Sequence, residues 1–291
     1  MSGVDCSRDT RVRSAADEDV VSVVPLTRAL VRASVLLFLC AGVYAVLVLT
    51  VVGRRVDVGS FRLLSALTGP LGAEANEFRE VMPFVLAVLV VVLGTLALRR
   101  RRWRETIRSL IFVVASFSIA EALKQVLPRP GAEGLTGIFG NSYPSGHVAI
   151  TLALALVAVI LSPSDRWHIW LACATGAVVI GVAWCSVISS AHRPSDVIGS
   201  ALLVGFLVQV VFWRRIAMVD SRPRLARVLI FCAGAGLVLV VIAAGVYTTG
   251  SPAGAFAAGI LGWLLLCAAP AAYAVMLAPT GPLSLLERGR A

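Results

Sequence analysis

"MPFVLAVLVVVLGTLALRRRRWR" runs from Met82 to Arg104. An uncharged apolar run passes directly into five arginines around one tryptophan. A helix of about 20 such residues crosses the roughly 30 Å hydrocarbon core of a bilayer. A block of arginines at its end marks the cytoplasmic flank. Similar runs recur along the 291 residues, at about 29–52, 107–126, 147–162, 168–188, 196–213, 228–248 and 254–277. Mean hydropathy is +0.90 and only 14% of residues are charged. In lipid only helices and closed barrels satisfy the backbone, and these runs are too long and too uniformly apolar for barrel strands. The sequence therefore predicts an all-α, polytopic membrane helix bundle of about eight transmembrane helices.

Charge placement orients the bundle. Arg99–Arg104, the arginines at 214, 215, 222, 224 and 227, and Arg288 and Arg290 all fall on one side when the number of spans is even. The positive-inside rule makes that side, with both termini, the cytoplasm, and the arginine-, alanine- and valine-rich composition suggests a bacterial plasma membrane. The net charge of +10 then belongs to membrane flanks and anionic lipids rather than to nucleic acid. Residues 1–27 are polar, carry no apolar core of a secretory signal, and read as a disordered cytoplasmic tail. The 53–81 loop is amphipathic in part and reads as an interfacial helix on the outer leaflet. Six cysteines lack disulfide or metal-site spacing and read as small hydrophobes.

The outer ends of the middle spans carry an unusual set of side chains. Lys124 is the only lysine in the chain. Arg129 follows it, His147 opens a span, and His192 and Asp196 stand at the start of another. One snorkelling cation would be unremarkable; two histidines and an aspartate beside a bilayer point to function. His192 and Asp196, four apart, share a face if the segment is helical, so the carboxylate can fix the imidazole tautomer and free the other nitrogen for attack. His147 can protonate a leaving oxygen. Lys124 and Arg129 can hold an anionic centre, and Ser145-Gly146 at a helix start offers backbone N–H groups for phosphate. A metal held by the two histidines and Asp196 is the competing reading, but it leaves Lys124 and Arg129 unexplained.

"YPSGH" (Tyr143–His147) and "HRPSD" (His192–Asp196), with "KQVLPRP" upstream, resemble the type 2 phosphatidic acid phosphatase (PAP2) family over about residues 80–215. That family has a six-helix core and the motifs K-x6-R-P, P-S-G-H and S-R-x5-H-x3-D. The resemblance implies a metal-free, cofactor-free lipid phosphatase. His192 would be its nucleophile, Asp196 the orienting partner and His147 the general acid, with Lys124 and Ser145 on phosphate. The first motif here has four residues between Lys124 and Arg129, so Gly131 holds the family's arginine position. The serine and arginine positions of the third motif hold Cys185 and Ser186. Arg129 is the expected substitute cation, and Arg193, beside His192 in sequence, the weaker one.

The expected organisation is the tail 1–27, a PAP2-like six-helix domain at 28–216 with its motifs in 124–196, and two further helices in 217–291. Gly234, Gly236, Gly259 and Gly262 fit close packing of those two, read as structural or dimer-forming. The expected function is hydrolysis of a lipid phosphate or polyprenyl diphosphate at the outer leaflet through a phosphohistidine. Transfer to an alcohol acceptor and non-catalytic binding or transport of a lipid phosphate are the alternatives.

Overall fold

The structure is a computed structural model that describes residues 13–68, 71–130 and 141–212. Within them the chain forms seven α-helices and no strand. They are α1 (Arg13–Val43), α2 (Val51–Thr68), α3 (Gly72–Arg99), α4 (Trp103–Val126), α5 (Gly146–Ile160), α6 (Asp165–Ile188) and α7 (Pro194–Val211). A π-helical segment, Tyr44–Leu49, continues α1. Five stretches are long and apolar enough to cross a membrane: Ala29–Leu49, Gly72–Arg99, Trp103–Val126, Trp170–Ile188 and Pro194–Val211. With the shorter apolar α5 these match the first six expected spans; the expected spans at 228–248 and 254–277 lie outside the described residues.

The bundle is built around α5. Nearly all of its residues are buried, from Val148 through Ile160, with α3, α4, α6 and α7 packed about it and α1 against α7. A helix apolar on every side belongs in such a centre. The outer helices show the reverse arrangement: Phe38 and Phe84 are 77% and 74% exposed. Large side chains this open are costly in water and comfortable in lipid. Charges complement the helix dipoles at both ends of α3, with Glu74 in its first turn and Arg99 in its last.

Two boundaries differ from expectation. Helix α1 begins at Arg13, inside the segment expected to be a disordered tail. The expected loop at 53–81 is almost entirely helical: α2 fills its first part, and α3 starts at Gly72, ten residues before the apolar run. Pro83 lies inside α3 rather than near its start. The break before α2 comes from Thr50, whose backbone is extended. Its hydroxyl donates to Val46 O at 2.6 Å and accepts from Gly53 N–H at 2.9 Å, capping the new helix. Gly53 is required there, since a Cβ would fall 1.9 Å from Val46 O.

Helix α7 approaches the Tyr143 ring through Gly199, where a Cβ would lie 2.3 Å from a ring carbon and 2.6 Å from the hydroxyl. Tyr143 is 1% exposed and donates to Cys40 O at 2.8 Å, so it has no room to withdraw. Gly199→Ala should destabilise the bundle by about 1–3 kcal/mol, the usual cost of overpacking. Thermal unfolding in detergent measures it, and an unchanged midpoint would mean that the ring yields freely.

Candidate active site

The expected site residues come from three segments that meet at the N-terminal end of α5. The first is the end of α4 with Leu127–Pro130, the second is Asn141–His147, and the third is the α6–α7 turn. Helix α6 closes at Ser190, whose φ of 60° reverses the chain. The His192 N–H then returns to Ser186 O at 2.9 Å. So the position where the family motif has arginine holds a fully buried serine whose carbonyl pins the backbone of His192.

His192 precedes α7 instead of lying on it, and Pro194 is the first helical residue. The expected shared helical face is therefore not what joins His192 to Asp196. Asp196 is the third residue of α7, and its carboxylate folds back to accept the Arg193 N–H at 2.9 Å. That capping geometry leaves Asp196 Oδ2 at 3.5 Å from His192 Nδ1, which has no nearer partner. Imidazole–carboxylate contacts in sites without a ligand are often long. Nδ1 faces the carboxylate, so the free nitrogen of the ring is Nε2.

Asp196 is completely buried and densely held. Ser142 Oγ donates to it at 2.6 Å. Arg129 Nη1 donates to its Oδ1, also at 2.6 Å. Arg129 Nη2 reaches a second buried carboxylate, Asp57 of α2, at 2.8 Å. Asp57 also accepts the Ser195 N–H at 2.9 Å and the Ser195 hydroxyl at 2.8 Å. Burial first, and the Asp196 charge second, push the Asp57 carboxyl up to about 6 against the pull of Arg129. Arg129 was expected on phosphate; its side chain is 1% exposed, and its guanidinium is spent on these two aspartates. Arg193, considered as a lesser substitute, is 2% exposed in the same interior.

Ser145 is also committed. Its hydroxyl accepts the Val148 N–H at 3.4 Å as the N-cap of α5, and its own N–H donates to Asp196 O at 3.1 Å. Ser200 ties the two strands of chain together, lying 2.8 Å from both Ser145 O and Asp196 O. The first turn of α5 still presents the N–H groups of Gly146 and His147, which no helix can satisfy internally. Lys124 stands beside that turn, bound to Glu121 at 2.6 Å. A Cβ on residue 146 would lie 2.1 Å from Glu121 Oε1 and 3.1 Å from Lys124 Nζ, so the glycine lets this pair close on the helix start.

The His147 ring is within electrostatic reach of Arg79, His192 and Lys124. Arg79 Nη1 lies 3.3 Å from His147 Nδ1. A guanidinium only donates, so Nδ1 accepts and the proton of the neutral ring sits on Nε2. Asp57 and Arg79 were both missed. Asp57 had a signal, a lone carboxylate between valines in "RRVDVG". Arg79 had only its place one turn before an apolar run.

The arrangement is an imidazole backed by a carboxylate, a second imidazole, a lysine and a helix N-terminus. Residues 122–220 match the PAP2 superfamily. The match opens two residues before Lys124 and takes in Arg129, His147, His192 and Asp196, while Asp57 and Arg79 lie outside it. It indicates phosphatase-type chemistry on lipid phosphates, on a helical scaffold suited to a membrane. Neither the curated proteins nor the solved structures gave a match. Among the described residues no group of three or more His, Cys, Asp or Glu is arranged to hold a metal ion; beside Asp196 the cation is Arg129.

Proposed function

We propose that the chain is a membrane phosphatase that hydrolyses a lipid phosphate or polyprenyl diphosphate through a phosphohistidine. One observation carries the reading: His192, backed by Asp196, shares the N-terminal end of α5 with His147 and Lys124. His192 Nε2 attacks phosphorus, a P–N bond forms, and the P–O bond to the lipid breaks. His147, doubly protonated once the phosphate is bound, gives its Nε2 proton to the departing oxygen and is left as the neutral ring. Lys124 and the N–H groups at the start of α5 hold the phosphoryl oxygens, where the helix dipole favours negative charge. Water, activated by His147 as base, then cleaves the P–N bond and regenerates His192.

The proposed orientation places the site on the extracytoplasmic side. Arg100 donates to Pro163 O at 2.7 Å and Arg102 to Ser162 O at 3.3 Å, so the arginine run sits at the C-terminal end of α5, opposite the site. With those arginines in the cytoplasm, the site faces out. The 15 residues of α5 rise only about 22 Å, less than a hydrocarbon core. That leaves the site recessed to a depth where a lipid headgroup can come in sideways between helices.

Phosphate release from dioctanoyl phosphatidate and from a short polyprenyl diphosphate, in detergent with a chelator present, tests the reading. Release that survives the chelator is the expected result. Binding without release would favour a lipid-phosphate binder, transfer of phosphate only to an added alcohol would favour a phosphotransferase, and release that the chelator abolishes would point to a metal.

A further inference from the structure

A phosphate dianion at the start of α5 needs more than one cation, and the described site has few to spare. Arg129 is held between Asp57 and Asp196 through its two Nη atoms. Arg193 is buried among those same charges. Lys124 is matched one to one by Glu121. One further guanidinium reaches His147. Asn76 Oδ1 accepts from Arg79 Nε at 2.9 Å and from Nη2 at 2.8 Å, which locks the fork and leaves Nη1 directed at His147. The charge is only weakly offset, by Glu80 at 3.4 Å with that carboxylate's side chain 53% exposed. The backbone beneath it is fixed as well: neighbouring Phe78 packs on α6 where Gly181 leaves space, a Cβ there falling 2.9 Å from its ring.

We infer that Arg79 is a phosphate-binding residue of this site, its Nη1 contacting the phosphoryl group between His147 and Lys124. The inference rests on the reading of the site as one for a lipid phosphate. A guanidinium held by Asn76 costs little further ordering when the anion arrives, and its two outer N–H bonds suit phosphoryl oxygens. The same contact keeps the His147 proton on Nε2 until substrate is present. The ligand chemistry is that of a phosphate monoester or diphosphate, whether carried by a lipid or free.

Equilibrium binding of dioctanoyl phosphatidate to the full chain in detergent, measured in a His192→Ala background so that turnover cannot consume the ligand, tests this apart from activity. Orthophosphate as competitor distinguishes a headgroup contact from a lipid contact. Adding Arg79→Ala should weaken both phosphatidate and orthophosphate at least tenfold, with Arg79→Lys in between and the melting midpoint of each variant close to that of the background. Equal binding by the Arg79→Ala protein, or a loss confined to phosphatidate, would overturn the inference, whether or not the wild type proves to be a phosphatase. In a His192-intact chain that is active, Arg79→Ala should lower kcat/KM about 100-fold, as loss of one donor to a developing charge does. An active chain whose kcat/KM is indifferent to Arg79 would overturn it equally.

Discussion

With alanine at position 192, phosphate release from a lipid phosphate should fall by about 10⁵-fold, the scale on which an enzyme loses its nucleophile. No other group in the described site offers a free nucleophilic nitrogen backed by a carboxylate. Lys124 is ion-paired with Glu121, and His147 lacks an acid behind its ring and meets Arg79 instead. The loss should be chemical rather than structural, because the His192 ring makes no contact shorter than 3.5 Å to Asp196. Initial rates and an acid-labile phosphoenzyme trapped in single turnover both report on it, and the trapped species should vanish with the ring. A variant within tenfold of wild type would end the phosphohistidine mechanism. Asp196 would be a poorer place to test it, since that carboxylate also caps α7 and pairs with Arg129, so its removal mixes stability with catalysis.

Arg129→Ala should produce the largest loss of stability, about 3–5 kcal/mol, the usual result when one partner of a buried ion pair is removed. Here one guanidinium neutralises two carboxylates whose side chains are 1% and 0% exposed, and its removal strands both. Lysine cannot restore the site, because Nη1 and Nη2 reach different aspartates and an ammonium is a single point. The deficit should have a pH dependence of definite sign. Asp57 already binds its proton more tightly in the fold, near 6, than the ordinary value of 3.8. A raised carboxyl contributes stability that is full below the unfolded value and is lost as pH rises through the folded one. Without Arg129 the folded value climbs further, so Arg129→Ala should recover part of its loss between pH 7 and pH 5. Melting curves across that range, with an Arg129/Asp57 double-mutant cycle, measure it. A deficit that is constant with pH would mean that Asp57 is not the stranded group.

The first six spans could be read from the chain because the lipid imposes a local rule. Every backbone group must be satisfied inside its own segment, so an apolar run of sufficient length is a helix wherever it packs. The helix expected to open at His147 was visible in the same way, and so was its start, since Ser145-Gly146 is a capping signal independent of the rest of the fold. The closeness of His192 and Asp196 was anticipated for an incorrect reason. Their spacing suggested a helical face, whereas the contact is made by a capping carboxylate turning back on residues that precede the helix.

Arg129 shows where that reading stops. From sequence it is a cation near other site residues, and phosphate is the natural partner to assign. Its true partners are 67 and 72 positions away, on α7 and α2, and nothing local to Arg129 or to Asp57 announces the pair. Arg79 falls within the expected 53–81 loop because hydropathy marks the lipid-facing length of a helix and not its polar extension beyond. Composition and periodicity therefore determined the class of protein, the helices and the two imidazoles. Which cation meets which anion was decided only in the tertiary structure, because charges pair through space according to how the helices pack, and a helix's own sequence carries no record of its neighbour.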